Sequence, residues 1–317
     1  MPSSSAAVVR VVSRRTVKPA APRPRESIPL TSWDLSMLSA DYIQKGLLFP
    51  PPPPCLLVVD HLAAALSTTL NTYYPVAGRF VTHNHPQGGC SVSIDCDGQG
   101  VEIVHAVADA VTVADLLPPD AHVPPLLHSF FPLGDAVNYD GHHLPLFVVQ
   151  VTHLVDGVFL AFVYNHALSD GTAFWDFLNA WAEIARASCL AAPTSPPPLF
   201  NRWSPGVVLP ARVAAWEVKP IIYTARYFDP SGVMMGSSPR FDMYGCDFGW
   251  GKAVAARSGK ANKMDGKASL YPGREGGGSI DAEVVLTPHH MAALDDDHEL
   301  WAAVTPDHTL FLNNNKP

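Results

Sequence analysis

Asn165-His166-Ala167-Leu168-Ser169-Asp170-Gly171 sets one histidine between an apolar run, 158–164, and an amphipathic run, 172–186. An imidazole in a short loop between a buried strand and a helix is held from both sides. Its neutral form accepts a proton near pH 7, which suits a general base. Asp170, followed by Gly-Thr, stands where a helix N-cap belongs. A second cluster is Asp247-Phe248-Gly249-Trp250-Gly251, whose two glycines permit tight backbone bends. Asp-Phe-Gly also occurs as the magnesium-binding motif of kinases, but no Gly-rich strand loop, catalytic-loop motif or strand lysine accompanies it.

Other candidate sites have simpler readings. Ser169 lacks the Gly-x-Ser-x-Gly frame of a nucleophile elbow. Gly273-Arg274-Glu275-Gly276-Gly277-Gly278 has neither a strand read into it nor a helix directly after it, as a dinucleotide fingerprint requires. It reads as a solvated loop, with contact between Arg274 and a phosphate as the alternative. His142-His143, His289-His290 and His83-x-His85 have no carboxylate or cysteine partners at recognised spacing. They are read as surface or loop histidines, and no metal site is expected.

The elements that position these groups follow from periodicity. Residues 146–154 and 158–164 are apolar and β-branched around the turn pair Asp156-Gly157, which predicts a hairpin ending just before His166. Phe174, Phe177, Leu178, Trp181, Ile184 and Ala185 then form one helical stripe. Residues 58–73 carry Leu62, Ala65, Leu66 and Leu70 at helical spacing, stopped by Pro75. Residues 91–95 alternate, Asp97-Gly98 offers turn chemistry, and Val101, Ile103 and Val104 resume, which reads as another hairpin. A strand is expected over 8–12, another over 280–286, a short helix from Pro288 to Leu294, and a frayed tail over 313–316. No internal repeat is present.

The chain has 317 residues, 47% hydrophobic, enough for a large core and about two domains on length. Its net charge of −8 argues against a nucleic-acid partner. No apolar run approaches the roughly 20 residues of a spanning helix. Five cysteines, Cys55, Cys90, Cys96, Cys189 and Cys246, lack metal-type spacing and read as reduced thiols of a cytoplasmic protein. The first 25 residues contain six basic and no acidic side chains. That composition fits a transit peptide superficially. The strand at 8–12 is the competing reading.

With Leu30-Thr31-Ser32-Trp33-Asp34, Tyr74-Pro75-Val76-Ala77-Gly78-Arg79 and Ser238-Pro239-Arg240-Phe241, the two motifs in this order resemble the plant BAHD acyltransferases. The likeness covers most of the chain. It implies an α/β fold, a chloramphenicol-acetyltransferase-like mixed sheet with helices in a two-domain layout. It also implies transfer of an acyl group from acyl-CoA to a hydroxyl or amine of a plant specialised metabolite. By this resemblance His166 is the general base. Asp170 braces its loop by pairing with an arginine, and Asp247, Gly249, Trp250 and Gly251 form a structural motif beside the coenzyme A channel. Some family members have Ser-Trp-Cys-Arg where Ser237-Ser238-Pro239-Arg240 stands here, so Ser238 replaces a tryptophan of the oxyanion environment. The implied partners are acyl-CoA, as co-substrate, and a small-molecule acceptor. No permanently bound cofactor, nucleic acid or membrane is implied. The motifs leave the coenzyme-binding residues, acyl group, acceptor and oligomeric state open.

His166 and Asp247 lie 81 positions apart, far fewer than in the family pattern. The expected organisation is therefore an N-terminal acyltransferase domain over 1–190, a Pro-rich linker over 191–204 and a partial C-terminal domain over 205–317. The lost segment is placed between 210 and 216. Such a remnant would expose sheet edges and apolar surface, with disorder expected around 205–240. The rival functional reading is an inactive truncated isoform serving as a ligand-binding or regulatory pseudoenzyme.

Overall fold

A computed structural model describes residues 8–86, 88–118, 123–187, 198–200, 232–261 and 263–304. The acid-poor start of the chain is strand β1 (Arg10–Val17), whose Arg14 and Arg15 pair with Glu102 and Asp60 at 2.6 and 2.7 Å. After β2 (Ser27–Pro29), helix α1 (Ser32–Ser36) starts at a reciprocal cap. The Asp34 N–H donates to Thr31 Oγ1, and the Asp34 carboxylate accepts from the Thr31 N–H. Strand β3 (Ile43–Phe49) leads to helix α2 (Val58–Thr69), which buries Leu62, Ala65 and Leu66. The helix ends short of Pro75, which lies in a 3-10 turn, Tyr74–Ala77.

Strands β4 (Arg79–Asn84) and β5 (Cys90–Asp95) form a hairpin. The expected hairpin between 91–95 and 101–104 does not form. Strand β6 (Val101–Val107) instead joins a different sheet, and the turn at Gly98 hands the chain across. The reason is burial: Val101, Ile103, Val104 and Ala106 are all fully enclosed, a pattern that suits a central strand rather than a two-stranded ribbon. The hairpin around Asp156-Gly157 does form, as β7 (Phe147–His153) and β8 (Val158–Tyr164), paired from Phe147↔Tyr164 to His153↔Val158. Helix α3 (Gly171–Arg186) follows and buries the predicted stripe.

Beyond residue 231 come β9 (Met234–Gly236), β10 (Ala255–Ser258), β11 (Lys267–Pro272), β12 (Ile280–Val285), α4 (Pro288–Asp295) and α5 (His298–Ala303). The Gly-rich stretch at 273–279 is a hairpin loop between β11 and β12. A strand does lead into it, contrary to expectation, and a strand rather than a helix leaves it. Gly276, Gly277 and Gly278 all have positive φ there. Within 205–240, the first part (205–231) lies outside the described residues, and Met234–Gly236 is β9. The 191–197 part of the linker, Cys189 and the 313–316 tail also lie outside them.

The main sheet has six strands in the order β1-β6-β7-β8-β3-β10, antiparallel except for β6 with β7. Side-chain alternation splits the core between its two faces. Val149, Val151, Leu160 and Phe162 pack with α2 and α3. Val148, Phe159, Ala161 and Val163 pack with Leu127 and Phe130 on the other side. Gly46 is needed in β3 because a Cβ there would lie 2.2 Å from the Phe159 ring. Two three-stranded sheets, β2-β5-β4 and β12-β11-β9, flank the main one. Val233, Met235, Ile280 and Val284 leave apolar surface exposed on and beside the second of them. Among the described residues no helix is long and apolar enough to cross a membrane.

Candidate active site

Strand β8 ends at Tyr164 and α3 begins at Gly171, so His166 rides on a six-residue connection between two buried elements. Asn138 and Asn165, both fully buried, hold that connection. The His166 N–H donates to Asn138 Oδ1 at 2.8 Å, and Asn138 Nδ2 donates to the Met37 carbonyl at 2.8 Å. Asn165 Nδ2 donates to the Asn138 carbonyl at 2.8 Å, while its Oδ1 accepts from the Ala167 N–H at 3.1 Å. Asp170 caps α3, its Oδ1 accepting from the Ala173 N–H at 2.9 Å. Among the described residues its carboxylate pairs with no arginine or lysine.

The imidazole of His166 is half-buried, and its Nδ1 lies 3.0 Å from the Ser169 carbonyl oxygen. A carbonyl only accepts, so Nδ1 carries a proton, and in the neutral imidazole Nε2 keeps its lone pair. No protein group among the described residues bonds Nε2. His166 lines a cavity of about 260 Å³, too small for a whole coenzyme but suited to a small acceptor or a thioester end. Phe174 and Trp175 of α3 and Phe241 supply its apolar wall. Lys45, Lys263 and Lys267 supply its charge.

A buried polar group stands behind those lysines. The Glu283 carboxylate accepts from Ser258 Oγ at 2.8 Å and from the Tyr271 hydroxyl at 3.0 Å, and it pairs with the Lys263 ammonium. Lys45 Nζ donates to the Tyr271 hydroxyl at 3.2 Å and sits over that ring. Burial, then the Lys45 and Arg257 charges, pull Lys263 down to about 8. Burial, then Lys45, also lowers Lys267.

Asp247 does not line this cavity. Its Oδ1 accepts from the Gly249 and Gly251 N–H groups at 2.9 and 3.0 Å, folding the motif on itself. Both glycines have positive φ, +110° and +103°. Arg186 of α3 donates to the Asp247 carbonyl at 2.8 Å. The motif's rings form a clasp: Phe248 packs on Trp181 and Phe49 at 5.0 and 6.0 Å, and Trp250 on Phe49 at 6.0 Å. The clasp therefore ties the strand entering β10 to α3 and β3. Ser237, with φ +68°, lines the cavity; Ser238 does not, and its Oγ accepts from the Arg240 N–H at 3.2 Å.

Sequence reasoning missed Asn138, the three lysines and the Glu283 cluster. Asn138 sits in a loop with ordinary turn residues, and the lysines are scattered over more than two hundred positions, so no local signal joins them. Of the paired histidines, His142 bonds Thr82 and the Tyr139 carbonyl, and His289 and His290 are exposed. Among the described residues no cluster of histidine, cysteine and carboxylate groups could hold a metal ion. Cys90, Cys96 and Cys246 are buried and Cys55 is exposed, and among the described residues none of them forms a disulfide.

Comparison with known proteins places this geometry. The sequence model of the Transferase family matches residues 7–208 and 210–301. Its break at residue 209 lies just before the 210–216 interval and outside the described residues. An uncharacterized acetyltransferase of Arabidopsis thaliana is 43% identical over 161 residues, 50% of this chain but 36% of the relative. This chain thus spans well under half of that relative's length. The BAHD acyltransferase DCR of Arabidopsis thaliana is 24% identical over 443 aligned positions, covering 90% of this chain and 91% of the relative. Since this chain has only 317 residues, that alignment leaves at least 126 positions of the relative without a counterpart here. Among solved structures, vinorine synthase superposes with a TM-score of 0.68 at 18% identity, over 94% of this chain and 99% of that one. TRI101 of F. graminearum, complexed with ethyl coenzyme A, superposes with a TM-score of 0.64 at 12% identity, over 87% and 98%. These superpositions establish the fold, the α/β architecture of acyltransferases.

Proposed function

The chain belongs to the Transferase family, the plant BAHD acyltransferases, and we propose that it moves an acyl group from acyl-CoA to a hydroxyl or amine of a small molecule, with His166 as general base. The observation that carries this reading is the imidazole itself. Its Nδ1 proton is committed to the Ser169 carbonyl, and its Nε2 lone pair is left for a ligand in the adjoining cavity.

The chemistry needs little else from the protein. The acceptor's O–H or N–H loses its proton to Nε2 as its heteroatom adds to the thioester carbonyl. The tetrahedral intermediate then expels the coenzyme thiolate as the C–S bond breaks, and the imidazolium returns the proton to sulfur. No acyl-enzyme forms. Holding the acceptor and the thioester carbonyl together at His166 supplies the proximity term. On this reading Asp170 and the Asp247-Phe248-Gly249-Trp250-Gly251 clasp position His166 and the strands around it without touching substrate. The ethyl coenzyme A complex of TRI101, a protein of the same fold, supports coenzyme A as the donor carrier.

A second reading is a catalytically inactive, ligand-binding isoform. It is favoured by the 126 or more aligned positions of the DCR relative that this chain lacks. One experiment separates the two. Acyl-CoA donors of increasing size are incubated with phenolic and amine acceptors, and free coenzyme thiol is read over time. Acceptor-dependent thiol release is the expected result. Acyl-CoA binding without any acceptor-dependent release establishes the ligand-binding isoform, and no acyl-CoA binding overturns both.

A further inference from the structure

We propose that Lys45, Lys263 and Lys267 form an anion subsite beside His166, which takes a carboxylate group of the acceptor in this cavity; the proposal rests on the acyl-transfer reading of the same cavity. All three residues line the cavity that His166 also lines. They come from β3, the stretch before β11, and β11 itself, so the fold brings together charges that lie far apart in sequence.

The charges there do not cancel. Among the described residues three lysines line the cavity, and Glu283 is the carboxylate that pairs with one of them, Lys263. Its Oε2 is already occupied by Ser258 and Tyr271. Among the described residues neither Lys45 nor Lys267 pairs with a carboxylate. Both are half-buried, so solvent does not fully compensate them. A solvated lysine face would point its ammonium groups outward, away from one another. Here Lys267 is instead packed against Gly236, where a Cβ would lie 2.5 Å from its Nζ, and Lys45 is fixed over the Tyr271 ring. Burial first, and then the Lys45 charge, lowers both Lys263 and Lys267, as befits cations partly withdrawn from water beside one another. An anionic group of the ligand would supply the missing charge and accept charge-assisted hydrogen bonds.

A phosphate of the coenzyme shares this chemistry, but the pantetheine arm holds it away from a thioester placed at His166, and the cavity of about 260 Å³ does not span that arm. Isothermal titration of the full chain distinguishes the two. In one arm, 4-hydroxyphenylacetate is compared with its methyl ester; in the other, coenzyme A is compared with pantetheine. The proposal expects the acid to bind roughly tenfold or more tighter than its ester. Lys267→Met and Lys45→Gln should each erase most of that preference, while Lys252→Gln, at an exposed position, leaves it. Loss of the acid preference in these variants supports the acidic-acceptor subsite; loss of the coenzyme A preference alone overturns it. No anion preference in the parent, or a preference that survives in whichever lysine variants melt like the parent, overturns the subsite. His166→Ala is titrated in parallel. Because binding is read rather than turnover, failure of the general-base reading leaves an intact anion preference, and failure of the subsite removes it.

Discussion

Asn138→Ala tests whether the loop carrying His166 is held by the buried amide pair. Truncation removes the acceptor of the His166 N–H and the donor to the Met37 carbonyl, both at 2.8 Å, and a weaker bond to the Asp41 carbonyl at 3.4 Å. At about 1 kcal/mol net for each short bond, the direct loss is roughly 2 kcal/mol. The His166 N–H is then left inside the protein with no acceptor, which adds about 1–2 kcal/mol. The bond from Asn165 Nδ2 survives, because it goes to the Asn138 backbone carbonyl. A total of roughly 3–4 kcal/mol corresponds to a fall in melting temperature on the order of 8 °C. Urea and thermal melts of parent and variant measure it. Turnover should fall as well, because a displacement of about 1 Å at the base costs on the order of 100-fold. A variant melting within about 1 °C of its parent would refute the claim that this amide holds the loop.

Two further results follow from the geometry. Asp247→Ala removes both bonds that fold its loop and should cost roughly 2 kcal/mol in a urea melt, whereas Asp247→Asn, which keeps an acceptor oxygen, should cost less and retain turnover; abolished turnover in a well-folded Asp247→Asn chain would assign that carboxylate to the chemistry. Burial, and then the neighbouring His105 charge, lower His153 below 6.5, so between its folded value and 6.5 the unfolded chain binds more protons. The stabilisation it represents is complete above about pH 6.5 and is lost as pH falls through the lower folded value. His153→Gln should therefore flatten the decline of melting temperature between about pH 7 and 5, and an unchanged slope would contradict this.

The local features of the site were legible. Asp156-Gly157 between two β-branched runs announces a hairpin, and a capped apolar stripe announces the helix after it, so the loop bearing His166 was bracketed from both sides. The same logic failed at Asp97-Gly98, because turn chemistry says where a chain bends and not whether it stays in one sheet. What decided the outcome was the full burial of Val101, Ile103, Val104 and Ala106 in β6, between β1 and β7. The pairing of β10 with β3, Ala255 opposite Leu48, joins segments two hundred residues apart and leaves no periodic trace in either. Lys45 illustrates the limit. Between Gln44 and Gly46 it reads as an ordinary charge on a strand, and its role depends on Tyr271, Lys263 and Lys267, which arrive from a distant hairpin. The aromatic residues of the Asp247 motif were visible, but their partners Phe49 and Trp181 were not, since packing across elements has no sequence spacing.

The most direct test replaces His166 with alanine and follows turnover with the best donor and acceptor, alongside equilibrium binding of coenzyme A. Loss of the base should lower turnover by at least about 100-fold, with coenzyme affinity and melting temperature close to those of the parent. A folded His166→Ala chain that turns over as fast as its parent would contradict the account.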